Sequence, residues 1–168
     1  MTLACRLLPV LLPVLLWHPA VAADCRTEVR ALLVQSKPPA AGVANARRLC
    51  AAASEAGDAV AAYHLALLDL GPAGWHPDKA TPLIQAAAAA GVPEAQYWLG
   101  WQLDSGPLLP DNPDEARRWY EAAAAQSHRL ALLRLAEVYE RGELGASVAP
   151  ARAAEMRELA AQCPANPE

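Results

Sequence analysis

The sequence predicts an all-α protein in which pairs of antiparallel helices stack into a right-handed solenoid. Apolar residues make up 54% of its 168 residues, but aromatic residues only 5%. Alanine, the strongest helix former, is the commonest apolar residue. Two helical motifs also recur at steps of 34 to 37 residues. A unit of that length buries its apolar face only against neighbouring copies, so the repeat predicts a solenoid.

One motif marks the second helix of each unit. It reads A-x-x-Φ-x-x-x-A, where Φ is a large apolar residue and the residue before the last alanine is small or apolar. Its four copies begin at Ala46, Ala80, Ala116 and Ala153. The run of five alanines at 86–90 belongs to the second copy. It is therefore predicted to be part of a packed helix, in which Ala86 and Ala87 let a neighbouring helix approach closely.

The other motif, A-x-Φ-x-L-(A/G), marks the first helix of each unit and begins at Ala61, Ala95 and Ala131. Tyr63 and Tyr97 occupy its Φ position and are predicted to lie in the core. The last position is small, as close helix packing requires. Proline and acid are typical of helix starts and glycine of helix ends. Starts are predicted at Pro77, Pro93 and Pro113, and ends at Gly71, Gly91, Gly106 and Gly142.

Residues 1–23 are predicted to be a secretory signal peptide. One base, Arg6, precedes an apolar run at 7–17, and small residues follow at 20–23. The run is too short to span a bilayer, and Asp24 directly before Cys25 argues against lipidation. We expect a periplasmic or secreted protein of a Gram-negative bacterium, with no membrane insertion after cleavage.

The predicted solenoid covers residues 24–163 and contains about three and a half units. Residues 24–35 form the first helix of an incomplete opening unit. Residues 164–168 are predicted to be a flexible tail.

The two motifs in register resemble the Sel1-like repeat, a relative of the tetratricopeptide repeat. The clearest copy is 94–127, and the resemblance extends from about 41 to 161. Leu103, where the family often has tyrosine, and Ala149 before Pro150 depart from the pattern. The resemblance implies a module that binds a protein partner on a concave face lined by the first helices. It implies adaptor or inhibitor roles, such as an immunity protein against a secreted phospholipase toxin, or assembly of envelope or polysaccharide machinery.

Nothing in the sequence points to catalysis, a cofactor or a metal. His64, His76 and His128 lie apart, in no metal-ligand spacing, and nucleophile and phosphate-loop motifs are missing. The predicted mature chain carries 13 basic and 18 acidic residues, a net charge of −5, which opposes nucleic-acid binding. The alternatives are an envelope enzyme acting on peptidoglycan or β-lactams, and a structural oligomer linked through Cys163. We expect a monomer or weak oligomer.

Trp98 and Trp101 are the candidate partner-binding residues. Their counterparts in neighbouring units are His64 and Leu67 before, and Arg134 and Glu137 after, so these positions are not uniformly apolar. Because residues three apart share a helix face, we predict a tryptophan patch on the concave surface, flanked by His64 and Arg134. The alternative is that both tryptophans pack against a neighbouring unit or the chain terminus.

Cys25 and Cys50 lie on successive helices of the opening unit and are a possible disulfide. Their offset from the predicted turn is about four residues, roughly 6 Å of helix rise, so the bridge would need a distorted first helix. The alternative for Cys50 is an ordinary buried position.

The basic pairs at 47–48 and 117–118 occupy matching positions of second helices. They are interpreted either as an anion-binding ridge or, preferably, as exposed positions whose arginine stems cover the helix surface.

Overall fold

The computed structural model describes residues 19–71 and 74–163 of the chain, and all its regular secondary structure is helical. Eight helices lie in these residues, and no strand does. They are α1 Pro19–Leu33, α2 Ala40–Glu55, α3 Ala59–Asp69, α4 Pro77–Ala89, α5 Pro93–Ser105, α6 Pro113–Ala124, α7 Arg129–Arg141 and α8 Pro150–Gln162. Residues 1–18 of the predicted signal peptide and the predicted tail lie outside the described residues.

Consecutive helices pack as hairpins, and each hairpin packs on the next. Helix α1 contacts α2, α3 contacts α4, α5 contacts α6 and α7 contacts α8. The second helix of each hairpin then contacts the first helix of the following one. The predicted all-α solenoid is confirmed. The opening unit is more regular than expected, because α1 and α2 form a full hairpin.

The recurring alanines lie at the contacts between helices. The alanines that open the second-helix motif are all at most 1% exposed: Ala46, Ala80, Ala116 and Ala153. The motif's last alanine is buried too, in Ala53, Ala87, Ala123 and Ala160. The expectation for Ala86 was wrong. It is exposed, because it lies one residue, about 100° of helix turn, before the buried Ala87.

Gly100 shows why the last position of the first-helix motif must be small. A Cβ atom there would lie 2.9 Å from Cδ1 of Tyr120 and 3.2 Å from the carbonyl oxygen of Ala116. Tyr120 itself is 1% exposed, so its ring has little room to move. Glycine therefore lets α5 and α6 approach across their hairpin.

Helix starts and ends follow the sequence signals closely. Proline occupies the first turn of α4, α5, α6 and α8. Gly142 caps α7 in the left-handed conformation, with φ of 70°. His128 Nδ1 accepts a hydrogen bond of 3.3 Å from the Ala131 amide and so caps the start of α7. This cap needs a neutral imidazole with a free lone pair.

Cys25 and Cys50 form a disulfide between α1 and α2, with their Cα atoms 5.0 Å apart. The predicted helix distortion is not needed. Helix α2 begins at Ala40, before the end of the turn expected at 36–42, so Cys50 lies ten residues after its start. Cys25 lies eight residues before the end of α1, and the two positions face each other.

Two arginines of second helices join neighbouring hairpins. Arg47 Nη1 on α2 is 2.6 Å from Oδ1 of Asp69, the last residue of α3, whose side chain is 4% exposed. Arg117 Nε on α6 donates a hydrogen bond of 3.1 Å to the carbonyl oxygen of Leu144, in the loop after α7. These contacts favour a structural role for both arginines over an anion-binding ridge.

Candidate functional site

The odd-numbered helices carry the predicted partner-binding residues at equivalent positions, and we call this surface the odd-helix face. It comprises Arg26 and Arg30 of α1, His64 of α3, Glu94, Trp98 and Trp101 of α5, and Arg134 and Glu137 of α7. The two tryptophans of the predicted patch differ in their exposure. Trp101 is 41% exposed, whereas Trp98 is half-buried and packs against the core cluster around Ile84 and Leu99. Trp101 is therefore the more exposed of the two predicted contact residues.

His64 is held in one orientation on α3. Its Nδ1 donates a hydrogen bond of 2.8 Å to the carbonyl oxygen of Val60, and its ring meets Tyr63 edge to face at 5.7 Å. Burial lowers the pKa of His64. The charges of Arg26 and Arg30 also lower it, while the Val60 carbonyl and Glu94 raise it. In the neutral ring Nε2 is then a hydrogen-bond acceptor.

Tyr63 and Tyr97, expected in the core, are half-buried. Burial, aided by Glu94, raises the pKa of Tyr63 to about 12. Tyr97 stacks on His128, with ring centroids 4.9 Å apart, and lies against Tyr120. Both tyrosines are neutral at physiological pH and connect the face to the hydrophobic interior.

Arg134 borders the odd-helix face as part of an ion-pair network. Its Nε lies 2.8 Å from Asp104 Oδ2, and its Nη1 lies 2.7 Å from Glu143 Oε2 and 3.2 Å from Glu137 Oε2. Burial opposes the charge of Arg134, but the hydrogen bonds that it donates to Asp104 and Glu143 outweigh burial and raise its pKa. Arg134 thus ties α7 to α5, and its charge is already balanced within the protein.

Arg26 and Arg30 were not singled out from the sequence, yet both are exposed and act on His64. They are four residues apart on α1 and therefore share a face. Their spacing was the available signal. It was overlooked because α1 lacks the recurring motif that identified the other odd-numbered helices.

The described residues offer little for catalysis. No three metal-ligating side chains come together among them. A cavity of about 480 Å³ opens between α4, α5 and α6, with Leu99, Leu103 and Trp119 among its apolar lining. Glu115, on its rim, accepts hydrogen bonds from Asn112 Nδ2 at 2.8 Å and Trp119 Nε1 at 3.4 Å. This carboxylate serves the start of α6, and no histidine, cysteine, serine or lysine lines the cavity.

None of the helices in the described part of the chain has the length and apolarity to cross a membrane. The remaining cysteine there, Cys163, is a half-buried free thiol just after α8.

Two solved structures are similar to this chain. A Sel1 repeat protein from Oxalobacter formigenes is 29% identical, with a TM-score of 0.62 over 67% of this chain and 85% of that one. A protective antigen of uropathogenic Escherichia coli displaying an SLR fold is 22% identical, with a TM-score of 0.67. That match covers 84% of this chain but 32% of the antigen, and it shows the fold alone. Neither the protein-family models nor the curated proteins contain a match.

Proposed function

We propose that this chain, which is similar in sequence and fold to a Sel1 repeat protein, binds a protein partner on its odd-helix face. Repeat solenoids generally present an extended surface for protein–protein interaction. The exposed ring of Trp101 is the observation that supports binding on this face. Tryptophan is enriched among the residues that dominate binding energy at interfaces.

The partner-contacting set is Trp101 at the centre with Trp98, His64 and Arg134 around it. Trp98 contributes the open part of its ring while its remainder packs on the core. His64 offers Nε2 as an acceptor, because Nδ1 is engaged by Val60. Arg134 borders the contact and keeps α5 and α7 in register through Asp104.

The proposed role is that of an exported adaptor or inhibitor, with an immunity protein against a secreted toxin such as a phospholipase as its sharpest form. The Cys25–Cys50 disulfide supports export, since such bonds persist in oxidising compartments. Inhibition requires a binding face and no reactive group, which fits a surface whose polar side chains serve the fold. If a toxin gene adjoins the gene for this chain, the toxin is the partner to test first.

Capture of partners from periplasmic extract tests the binding face. Trp101→Ala should lose the captured protein while its melting temperature stays close to wild type, because the ring is partly exposed. Trp75→Ala is the matched control. Its ring is 62% exposed but lies in the loop between α3 and α4, off the odd-helix face. The proposal fails if Trp101→Ala retains every partner, or if Trp75→Ala loses the same one.

A further inference from the structure

The cavity between α4, α5 and α6 is lined by the side of α5 that points away from Trp101. Leu99 and Leu103 line it, are 4% and 6% exposed, and share one side of the helix because they are four residues apart. Trp101 lies two residues from each of them, which is about 200° around the helix axis. The cavity is therefore a separate site from the odd-helix face.

The lining of the cavity is both apolar and acidic. Besides the two leucines of α5, it includes the half-buried side chains of Leu109 and Trp119 and the carboxylates of Asp111 and Glu115. Among the described residues that line it there is no lysine, arginine or histidine. Arg118, beside Trp119 on α6, is exposed and does not line the cavity. The two carboxylates outnumber this arginine, so the rim is negative.

Glu115 is held in place and can still accept further hydrogen bonds. Its Oε1 accepts a hydrogen bond of 3.4 Å from Trp119 Nε1, and its Oε2 accepts one of 2.8 Å from Asn112 Nδ2. Because each carboxylate oxygen has two lone pairs, each keeps one acceptor position. The carboxylate is thus fixed beside the indole of Trp119 in advance, which reduces the entropy lost when a ligand binds.

We infer that the cavity receives an arginine side chain of a protein partner, together with an apolar side chain next to that arginine. The aliphatic stem covers the leucines, and the guanidinium donates hydrogen bonds to Glu115. Arginine also stacks on aromatic rings such as Trp119, which favours it over the compact ammonium of lysine. The volume of about 480 Å³ leaves room for the second side chain, since clefts of roughly 300 to 1,000 Å³ hold drug-sized ligands.

Other occupants fit this lining less well. A purely apolar group would cover Glu115 without supplying a counter-charge, and burial of an uncompensated charge is costly. An acidic group would be repelled by the carboxylates. A free small molecule would stay largely open to water, whereas small-molecule sites enclose most of their ligand. The exposed lining residues that leave the cavity open are Gln85, Pro110, Asp111 and Asn112.

NMR titration of the isotope-labelled mature protein with the peptide acetyl-Leu-Arg-Leu-amide tests the inference. The indole N–H signal of Trp119, assigned by its loss in Trp119→Phe, should shift more than those of the other tryptophans. Citrulline has nearly the shape of arginine but no charge. A peptide with citrulline in place of arginine should bind about tenfold more weakly, because the charge-assisted hydrogen bonds to Glu115 are lost.

Two variants remove the negative charge of the cavity. Glu115→Gln should weaken peptide binding about tenfold, and it keeps a residue type that suits the start of α6. Asp111→Asn, at an exposed position, should weaken it about threefold. Asp114→Asn is the matched control, because it removes the same charge from the first turn of α6 but does not line the cavity. Its ion pair with Arg117 is 3.7 Å long, and its loss should change Kd less than about twofold. Melting curves verify that each variant folds.

Several results would overturn the inference. Equal affinity for the arginine and citrulline peptides would do so, as would no shift of the Trp119 signal at the highest soluble peptide concentration. Equal weakening by Asp114→Asn and Glu115→Gln would reduce the effect to general charge attraction. Agmatine binding as tightly as the peptide would make the cavity a site for a small cation. Broadening of the Trp119 signal with protein concentration alone would make a second copy the occupant.

This site and the odd-helix face can fail independently. Trp101→Ala should leave the affinity for the arginine peptide unchanged, because that ring lies on the other side of α5. Glu115→Gln should in turn leave intact any contact made through Trp101. A peptide that loses affinity in Trp101→Ala but not in Glu115→Gln binds the odd-helix face, and the cavity is then not its site.

Discussion

Removing the disulfide should destabilise the protein by about 3 kcal/mol. The bond joins residues 25 apart in sequence. For a loop of that length, the chain-entropy relation gives about 3.5 kcal/mol at room temperature. Cys25→Ala/Cys50→Ala keeps both positions apolar and small, so the change in packing adds little to this loss. Because terminal hairpins of a solenoid have a single neighbour, the loss should concentrate in α1 and α2.

Urea unfolding at neutral pH measures the effect, and hydrogen exchange locates it. Cys163→Ala is the matched control, because this thiol is free and half-buried, and its removal should change the free energy of unfolding by less than about 0.5 kcal/mol. Amides of α1 should exchange much faster in the double variant, while those of α7 change little. If the double variant is as stable as Cys163→Ala, the unfolded chain is not constrained as assumed and the reasoning is wrong.

Two further predictions concern pH and close packing. Burial lowers the pKa of His128 below 6.5, so its stabilising contribution is complete above that pH and is lost as the pH falls through the folded pKa. His128→Asn, which can still cap α7, should flatten the fall in unfolding free energy between about pH 7 and 5. Gly100→Ala should cost about 1 kcal/mol in urea unfolding, because the added methyl crowds Tyr120 by more than helix propensity regains.

Each of these predictions has a clear counter-result. Parallel pH curves for wild type and His128→Asn would show that the cap does not titrate, and would leave His64 as the source of any pH dependence. For the glycine, Gly42→Ala is the control. Its added methyl would lie 3.2 Å from Leu32 Cδ2 and 3.4 Å from Pro39 Cγ, with no backbone atom so close, so it should cost less than Gly100→Ala. A stabilised Gly100→Ala would show that α5 and α6 can separate at no cost.

The repeat made the fold predictable from sequence. Alanines at steps of 34 to 37 residues mark buried helix contacts, and the structure buries each of them. Ala46 and Ala153, at opposite ends of the array, are buried as completely as the central copies. Periodicity could not fix where each helix begins, and that uncertainty led to the wrong offset between Cys25 and Cys50.

The candidate site was less predictable, because exposure and charge pairing depend on neighbours from other units. The sequence placed Trp98 and Trp101 together, but only the packing of the core distinguishes a half-buried ring from an exposed one. From the sequence, Arg134 was predicted only to flank the tryptophan patch. Its partner Asp104 lies thirty residues away, and that pairing has no local signature.

The opening hairpin matters both for the stability of the fold and for the proposed binding face. A terminal unit buries its apolar surface on one side only, so α1 is the helix most easily lost from the array. The same helix carries Arg26 and Arg30, whose charges lower the pKa of His64 on the neighbouring hairpin. The disulfide at Cys25 offsets the weakness of this hairpin. In a reducing compartment we expect α1 to separate first, so the edge of the odd-helix face next to His64 depends on an oxidising environment.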